Sequence, residues 1–332
     1  MSRRSLQRIG VLVAQTLIVL VIIVSLTFLM FSAWPADPAL LACGRPCTPE
    51  RLESARAFLG YDQPWYAQVW NYLTGIVAGR TFGAGTGAIH CDAPCLGYSF
   101  RLGAPVTGLI ASRVPITASL AIGAAVLWLL GGVLAGMVSA LRRGTLADRS
   151  IMALTVVGVS APSYLLALLG ILVLGFTLDV VPVANYVPFS TSPIDWAWHL
   201  ALPWAVLAFI NAAVYARLVR GHMLENLGLD YVRMARSLGL TERTVISRQV
   251  LPNVLTPVIP LIALDLGALL GGAVITERVF SMPGVGSLLL DAVGQTALPI
   301  IVGVTVFAAA IVIVANLVAD VATALLDPRI QT

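Results

Sequence analysis

ENLGLDYVRMARSLGLTERTVISRQVLPN, residues Glu225–Asn253, carries four of the chain's twenty Arg between two long apolar segments. Connections between packed helices usually run about 2–8 residues, so this stretch is too long for a turn between them. It reads as a small helical unit presented to water. Tyr231, Met234, Ala235 and Leu238 recur at i, i+3, i+4 and i+7, one face of a helix, with Arg233 and Arg236 off that stripe. Gly239 is expected to stop the helix, because glycine readily takes the left-handed conformation that ends many helices. Thr241 then caps a second helix with Val245, Ile246, Val250 and Leu251 on its apolar side and Arg243 and Arg248 on its polar side. Pro252 is expected to end it.

The surroundings decide what kind of protein holds such a unit. Of the 332 residues, 58% are hydrophobic and 11% charged, against about 25% charged in soluble domains. Six segments have the length and apolarity of membrane-crossing helices: Ile9–Ala36, Val114–Leu141, Ile151–Leu178, Trp196–Ala216, Val254–Thr276 and Ala292–Ala319. Four of these contain no charge over 28 consecutive residues, the fourth span holds His199, and the fifth holds Asp265. The fold class is therefore an all-α integral membrane protein with six transmembrane helices.

All twenty basic residues are Arg. Without Lys there is no Walker A loop, whose Lys reaches the phosphates of a nucleotide. Placing the N-terminus, residues 142–149, residues 217–253 and the C-terminal tail on one side gives thirteen Arg against six acids there, and seven against nine on the other. Under the positive-inside rule both termini are expected in the cytoplasm. The net charge of +4 thus reads as topology, and no basic patch interleaved with aromatics points to nucleic acid. His90, His199 and His222 are scattered, with no H-E-x-x-H motif for a membrane-embedded metalloprotease.

Arg3, Arg4 and Arg8 before the first apolar run resemble the start of a signal peptide. The run is longer than the 7–15 residues of a signal core and lacks an A-x-A site, so an uncleaved span is expected. Three regions follow: 1–36, the tail and first span; 37–113, an extracytoplasmic segment; and 114–332, a five-helix core carrying the hairpin at 225–253.

In the outer segment Thr48-Pro49-Glu50 starts a helix with Leu52, Ala55, Phe58 and Leu59 on one face. Pro64 opens a second, with Trp65, Val69, Tyr72, Leu73 and Ile76. Gly79–Gly103 reads as irregular. Cys43, Cys47, Cys91 and Cys95 are all the cysteines of the chain, all on the outer side where disulfides form. Three connectivities are open, and a metal site with His90 or free buried thiols are the alternatives to two bridges.

Gly123, Gly131, Gly132 and Gly136 in the second span suit close helix approach in lipid. Ala161-Pro162-Ser163 breaks the third span and is a candidate pivot. Trp196 and Trp198 sit where an interfacial belt is expected. Phe280–Gly286 reads as a turn-rich re-entry. From its residues alone the 225–253 unit has two readings, an interfacial hairpin on the inner leaflet or a knob inserted into a cytoplasmic partner.

The pattern DYVRMARSLGL-x-x-R-x-V-x-x-x-x-x-LPN resembles the EAA loop of bacterial ABC importer permeases, and of these the dipeptide/oligopeptide/nickel permease family most. Further similarity lies in LGYDQPW at 59–65, PVTGLIASRVPIT at 105–117, LRRGTLADR at 141–149, GGAVITERVFSMPGVG at 271–286 and DPR at 327–329. The resemblance implies the type I ABC importer permease fold, in the bacterial cytoplasmic membrane. It also implies a second homologous permease as heterodimer partner, two cytoplasmic ATPases and an extracytoplasmic solute-binding protein that delivers peptide. ATP and magnesium are then bound by the ATPases, and this subunit, itself no enzyme, holds no cofactor. Tyr231, Arg233, Met234, Ala235, Arg236, Leu238 and Gly239 become the ATPase-facing coupling helix.

The chain departs from that family in its four cysteines with the insert around Gly83–Cys95, and in Asp265. An acid in mid-span is a functional candidate. Asp265, with Asn211, is a candidate for the translocation pathway, where it would meet a peptide's amino terminus; the alternative is a protonated side chain bonded to a neighbouring helix. Dipeptides, longer peptides, glutathione-like molecules and nickel chelates all remain open as substrates. The rival from another class is an ion-coupled secondary transporter or channel, which predicts ionisable groups deep in several spans.

Overall fold

The computed structural model describes residues 18–30, 39, 47–60, 63–83 and 88–326. The N-terminal Arg cluster, Cys43 and the 327–329 motif lie outside the described residues. Two compact units emerge: one takes residues up to Pro115 with Leu270–Val274 and Pro283–Ile313, the other Ile116–Leu269, Ile275–Met282 and the chain from Val314 onward.

In the first unit, helix α1 (Ile18–Met30) is the described part of the expected first span. Helices α2 (Pro49–Leu59) and α3 (Trp65–Ala78) lie where Pro49 and Pro64 place helix starts. Ala55 of α2 and Val69 and Tyr72 of α3 are buried, as the apolar spacing predicts. Val69 and Tyr72 share one core with Val24 and Phe28 of α1 and with Leu298, Val302 and Val306. The Phe28 and Tyr72 rings meet edge to face at 5.7 Å.

The described residues of Gly79–Gly103 hold regular structure that its composition does not suggest. Strands β1 (Arg80–Phe82) and β2 (Ile89–Cys91) pair antiparallel with Thr81 opposite His90, and β3 (Tyr98–Ser99) pairs with β4 (Ala104–Pro105). Phe82, Cys91, Cys95 and Tyr98 form a small core between them, too short in sequence to show alternation. The Arg80 guanidinium covers the Phe82 ring at 4.3 Å.

The remaining helices are α4 (Val106–Leu141), α5 (Leu146–Ser160), α6 (Ser163–Thr177), α7 (Pro193–Leu227), α8 (Asp230–Ser237), α9 (Glu242–Leu255), α10 (Ile259–Leu270), α11 (Val274–Val279), α12 (Val285–Gly294) and α13 (Leu298–Leu326). Among the described residues three helices, α4, α7 and α13, are long and apolar enough to cross a membrane. Counting each bent pair as one span, α5 with α6 and α9 with α10, brings the number to five. The break at Pro162 turns the chain by 106°, far beyond a kink.

Two expectations about helix ends are corrected. The apolar stretch of the fourth span ends at Ala216, yet the helix that carries it, α7, runs eleven residues further, to Leu227. Arg217, Arg220 and Glu225 interrupt apolarity without interrupting helix, since Arg and Glu are good helix formers. Pro252 does not end the second hairpin helix. The wide π-helical stretch Val245–Val250 precedes it, the helix continues to Leu255, and the chain turns by 55° only around Pro257.

Within the second unit the small residues of α4 meet α7. A Cβ on Gly132 would fall 2.8 Å from the Tyr215 Cβ, and one on Gly136 2.7 Å from the Ala216 carbonyl oxygen. Gly123 backs directly onto the Trp204 ring. Gly131, by contrast, has only ordinary contact with Ala212, at 3.9 Å. Gly158 of α5 makes the corresponding approach to α7, 2.7 Å from the Ala213 Cβ.

Candidate functional site

The hairpin has the helix–Gly–helix form read from its sequence. α8 ends with the Gly239 N–H donating to the Arg236 carbonyl and the Leu240 N–H to the Ala235 carbonyl, with Gly239 at φ +79°. This pair of bonds is the Schellman arrangement, which needs the left-handed residue that glycine supplies. The Arg236 guanidinium then donates two bonds to Glu242, at 2.7 and 3.2 Å, clamping the two limbs. Arg233 Nη2 donates to the Gly228 carbonyl at 3.0 Å.

The expected stripe of Tyr231, Met234, Ala235 and Leu238 is split. The buried face is Val232 with Ala235, set against the buried Val245 and Val250 of α9. Met234 and Leu238, one turn apart, are 64% and 74% exposed. The cause lies at Tyr231, whose hydroxyl donates to Asn226 Oδ1 at 3.0 Å and accepts from Asn253 Nδ2 at 3.3 Å. Anchored to the end of α7 and to α9, Tyr231 fixes the rotation of α8 and turns Met234 and Leu238 outward. Met234 and Leu238 thus form an exposed apolar surface flanked by the exposed ion pairs Arg233–Asp230, at 3.2 Å, and Arg236–Glu242, at 2.7 Å.

Inside the second unit Asp265 of α10 accepts a hydrogen bond from the Tyr215 hydroxyl of α7 at 2.6 Å. Tyr215 is buried beside Trp128, with ring centroids 6.4 Å apart. Asn211, one turn earlier on α7, turns its amide to the Leu207 carbonyl at 2.9 Å. The two candidate pathway residues thus hold different partners.

Three polar features escaped the sequence. Asp148, at the start of α5, is buried and accepts from Arg220 Nε at 2.8 Å, Arg220 Nη2 at 3.0 Å, the Gly144 N–H at 2.9 Å and the Ser139 hydroxyl. It ties α4, the following turn, α5 and α7 at one point. Glu277, the residue after the fifth expected span, is fully buried and accepts from the Thr117 hydroxyl at 2.8 Å. Trp196 donates to Ser119 at 3.2 Å and stacks edge to face on Phe189 and Trp204, while Trp198 is exposed. An acid in the first turn of α5 suits the helix dipole, but nothing local to Asp148 or Glu277 names partners 72 and 160 residues away.

Of the cysteines, Cys91 and Cys95 are bonded to each other, and Cys47 is also in a disulfide. Cys43 lies outside the described residues. Cys91 and Cys95 are thereby removed as metal ligands. His90 is exposed and meets Thr81 at 3.1 Å and Asp92 at 3.5 Å.

Comparison with known proteins adds independent findings. Residues 132–332 match the profile of the binding-protein-dependent transport system inner membrane component, and residues 5–121 the profile of the N-terminal part of such components. A putative peptide transport system permease protein of Brucella abortus is 36% identical over 96% of this chain and 97% of its own length. The dipeptide transport system permease protein of Lactococcus lactis is 33% identical over the whole of both chains. Among solved structures, the inward-facing MetNI methionine ABC transporter superposes with a TM-score of 0.53 at 17% identity, covering 67% of this chain and 97% of that one. That last likeness is one of fold.

Proposed function

Because the chain belongs to the family of binding-protein-dependent transport system inner membrane components, we propose that it is the permease subunit of an ATP-driven peptide importer in the bacterial cytoplasmic membrane. In this family the permease is one part of an ABC importer, working with a partner permease, ATPases and a binding protein, and ATP hydrolysis lies outside the permease. The finer reading gives this chain six spans with both termini in the cytoplasm, one different but homologous permease as partner, and two ATPases that hold ATP and magnesium. The observation that carries the peptide assignment is the full-length similarity, above 30%, to permeases named for peptide and dipeptide transport.

The hairpin is the coupling element of this reading. Met234 and Leu238 enter the ATPase cleft, Arg233 and Arg236 meet its rim, and Tyr231, Ala235 and Gly239 hold α8 in the orientation that presents them. Movement of the ATPases on binding and hydrolysing ATP is passed through Tyr231 to α7. For nucleotide to bias the spans, these contacts must differ between outward- and inward-open states. Asp265, oriented by Tyr215, meets the amino terminus of the passing peptide, and Asn211 lines the same route.

Purification of the tagged chain with the ATPases and second permease encoded beside it, followed by native mass spectrometry, tests the assembly. One copy of this chain, one of its partner and two ATPases are expected; a homodimer of this chain overturns the heterodimer. For Asp265, the Asp265→Asn variant is expected to lower uptake of free peptides while leaving N-acetylated peptides unaffected. Equal loss for both contradicts its role.

A further inference from the structure

Helix α3 has three faces, and one of them is unaccounted for by protein contacts. At about 100° per residue, Val69, Tyr72 and Ile76 point into the core shared with α1 and α13. Gln68, Asn71 and Thr74 form a polar flank that lines an open cavity of about 340 Å³ together with Arg80. On the opposite flank Tyr66, Trp70 and Val77 fall within an arc of about 40°, with Trp70 68% and Val77 81% exposed. The whole helix, WYAQVWNYLTGIVA, contains no charged residue.

A helix apolar on two sides and polar but uncharged on the third fits neither a solvated cap nor a spanning segment. Its packing sets its depth. Tyr72 lies on Phe28 of α1 and shares a core with Val24, Leu298, Val302 and Val306, so α3 packs against the last described turns of α1 and the first turns of α13, at the level of apolar helix ends. The described part of α1, against which α3 packs, likewise leaves large apolar side chains exposed, among them Ile18, Ile22, Leu26 and Leu29. Trp and Tyr are the side chains that settle at the boundary of headgroups and acyl chains.

We propose that α3 is an interfacial helix embedded in the outer leaflet, with Tyr66, Trp70 and Val77 against lipid and Gln68, Asn71 and Thr74 turned to water. The occupant of the exposed flank is the bilayer, and the second helix of the outer segment serves as a membrane anchor beside the first span. The leaflet assignment rests on the orientation proposed above.

Nitroxide labels at single cysteines introduced by Trp70→Cys, Val77→Cys, Asn71→Cys and Thr74→Cys test it, since the described residues hold no free cysteine to compete. The labelled chain is assembled with its partner subunits in lipid nanodiscs. Collisions with oxygen, which concentrates in lipid, should exceed collisions with a water-soluble paramagnetic chelate at 70 and 77, and the order should reverse at 71 and 74. Chelate access at 70 and 77 overturns the proposal in favour of an aqueous cap. Exclusion of both reagents there overturns it in favour of a protein partner. Val77→Cys, at the most exposed of these positions, keeps the test open if Trp70→Cys fails to assemble. Orientation is read separately, by a membrane-impermeant thiol reagent reaching Thr74→Cys in intact cells. Failure of that labelling overturns the outer-leaflet assignment without touching the lipid contact at 70 and 77.

Discussion

Replacing Met234 and Leu238 together by Gln separates the coupling surface from the fold that carries it. Both side chains are mostly exposed, at 64% and 74%, and Gln is a good helix former, so stability of the isolated chain should change by no more than about 0.5 kcal/mol, as at ordinary surface sites. Burying a Met or Leu side chain completely is worth about 1.5–3 kcal/mol. With roughly two-thirds to three-quarters of each still available for burial in a partner, the pair contributes about 2–4 kcal/mol to docking. At 1.4 kcal/mol per tenfold, that is about a 30- to 700-fold weaker Kd. Titration of purified ATPase onto the immobilised permease measures the affinity, and a thermal unfolding scan of the same sample measures the fold. Val232→Asp is the contrasting variant: it puts a charge at a fully buried position of the hairpin and should lower the unfolding temperature as well as binding. Unaltered ATPase affinity in Met234→Gln/Leu238→Gln, with the chain folded, refutes the assignment of α8 as the docking helix.

Two further outcomes follow from packing inside the second unit. Gly136→Ala places a methyl group 2.7 Å from the Ala216 carbonyl oxygen and 2.8 Å from Val219 Cβ, an overpacking that should cost about 1–3 kcal/mol. Gly131→Ala meets its nearest neighbour at 3.9 Å and should be neutral or stabilising by up to about 1 kcal/mol; unfolding temperatures of the two in detergent check the contrast. Arg220→Met removes both guanidinium donors from the buried Asp148, whereas the Arg217 guanidinium reaches only the Thr155 carbonyl, at 3.5 Å. The unfolding temperature should therefore fall more in Arg220→Met than in Arg217→Met, and Asp148→Asn/Arg220→Met should lose less than the sum of its single changes.

Much of the helical layout could be read from residue order because it follows from local rules. Charge-free runs mark α4 and α13, Pro162 marks a break, and Thr241 and Gly239 mark the ends of the hairpin helices. What residue order does not show depends on partners distant in the chain or on backbone propensity that hydropathy does not measure. α7 outlasts its apolar stretch because Arg and Glu continue a helix as well as Leu does. The rotation of α8 is set by Asn226 and Asn253 acting on Tyr231, 5 and 22 residues away. The Asp148–Arg220 and Glu277–Thr117 pairs join residues from segments that look like ordinary loops or ordinary span ends. Strands β1 to β4 are held by pairing and a disulfide within a Gly-rich stretch, where two or three residues per strand show no alternation.

Peptide uptake by proteoliposomes holding this chain, its partner permease and two ATPases, with binding protein and labelled peptide outside, bears most directly on ATP-driven import. Uptake is expected to require ATP and magnesium in the lumen, to cease when α8 carries Met234→Gln/Leu238→Gln, and to persist after ionophores collapse every ion gradient. Uptake that proceeds on a proton or sodium gradient without ATP would contradict the permease assignment and return the chain to the class of ion-coupled transporters.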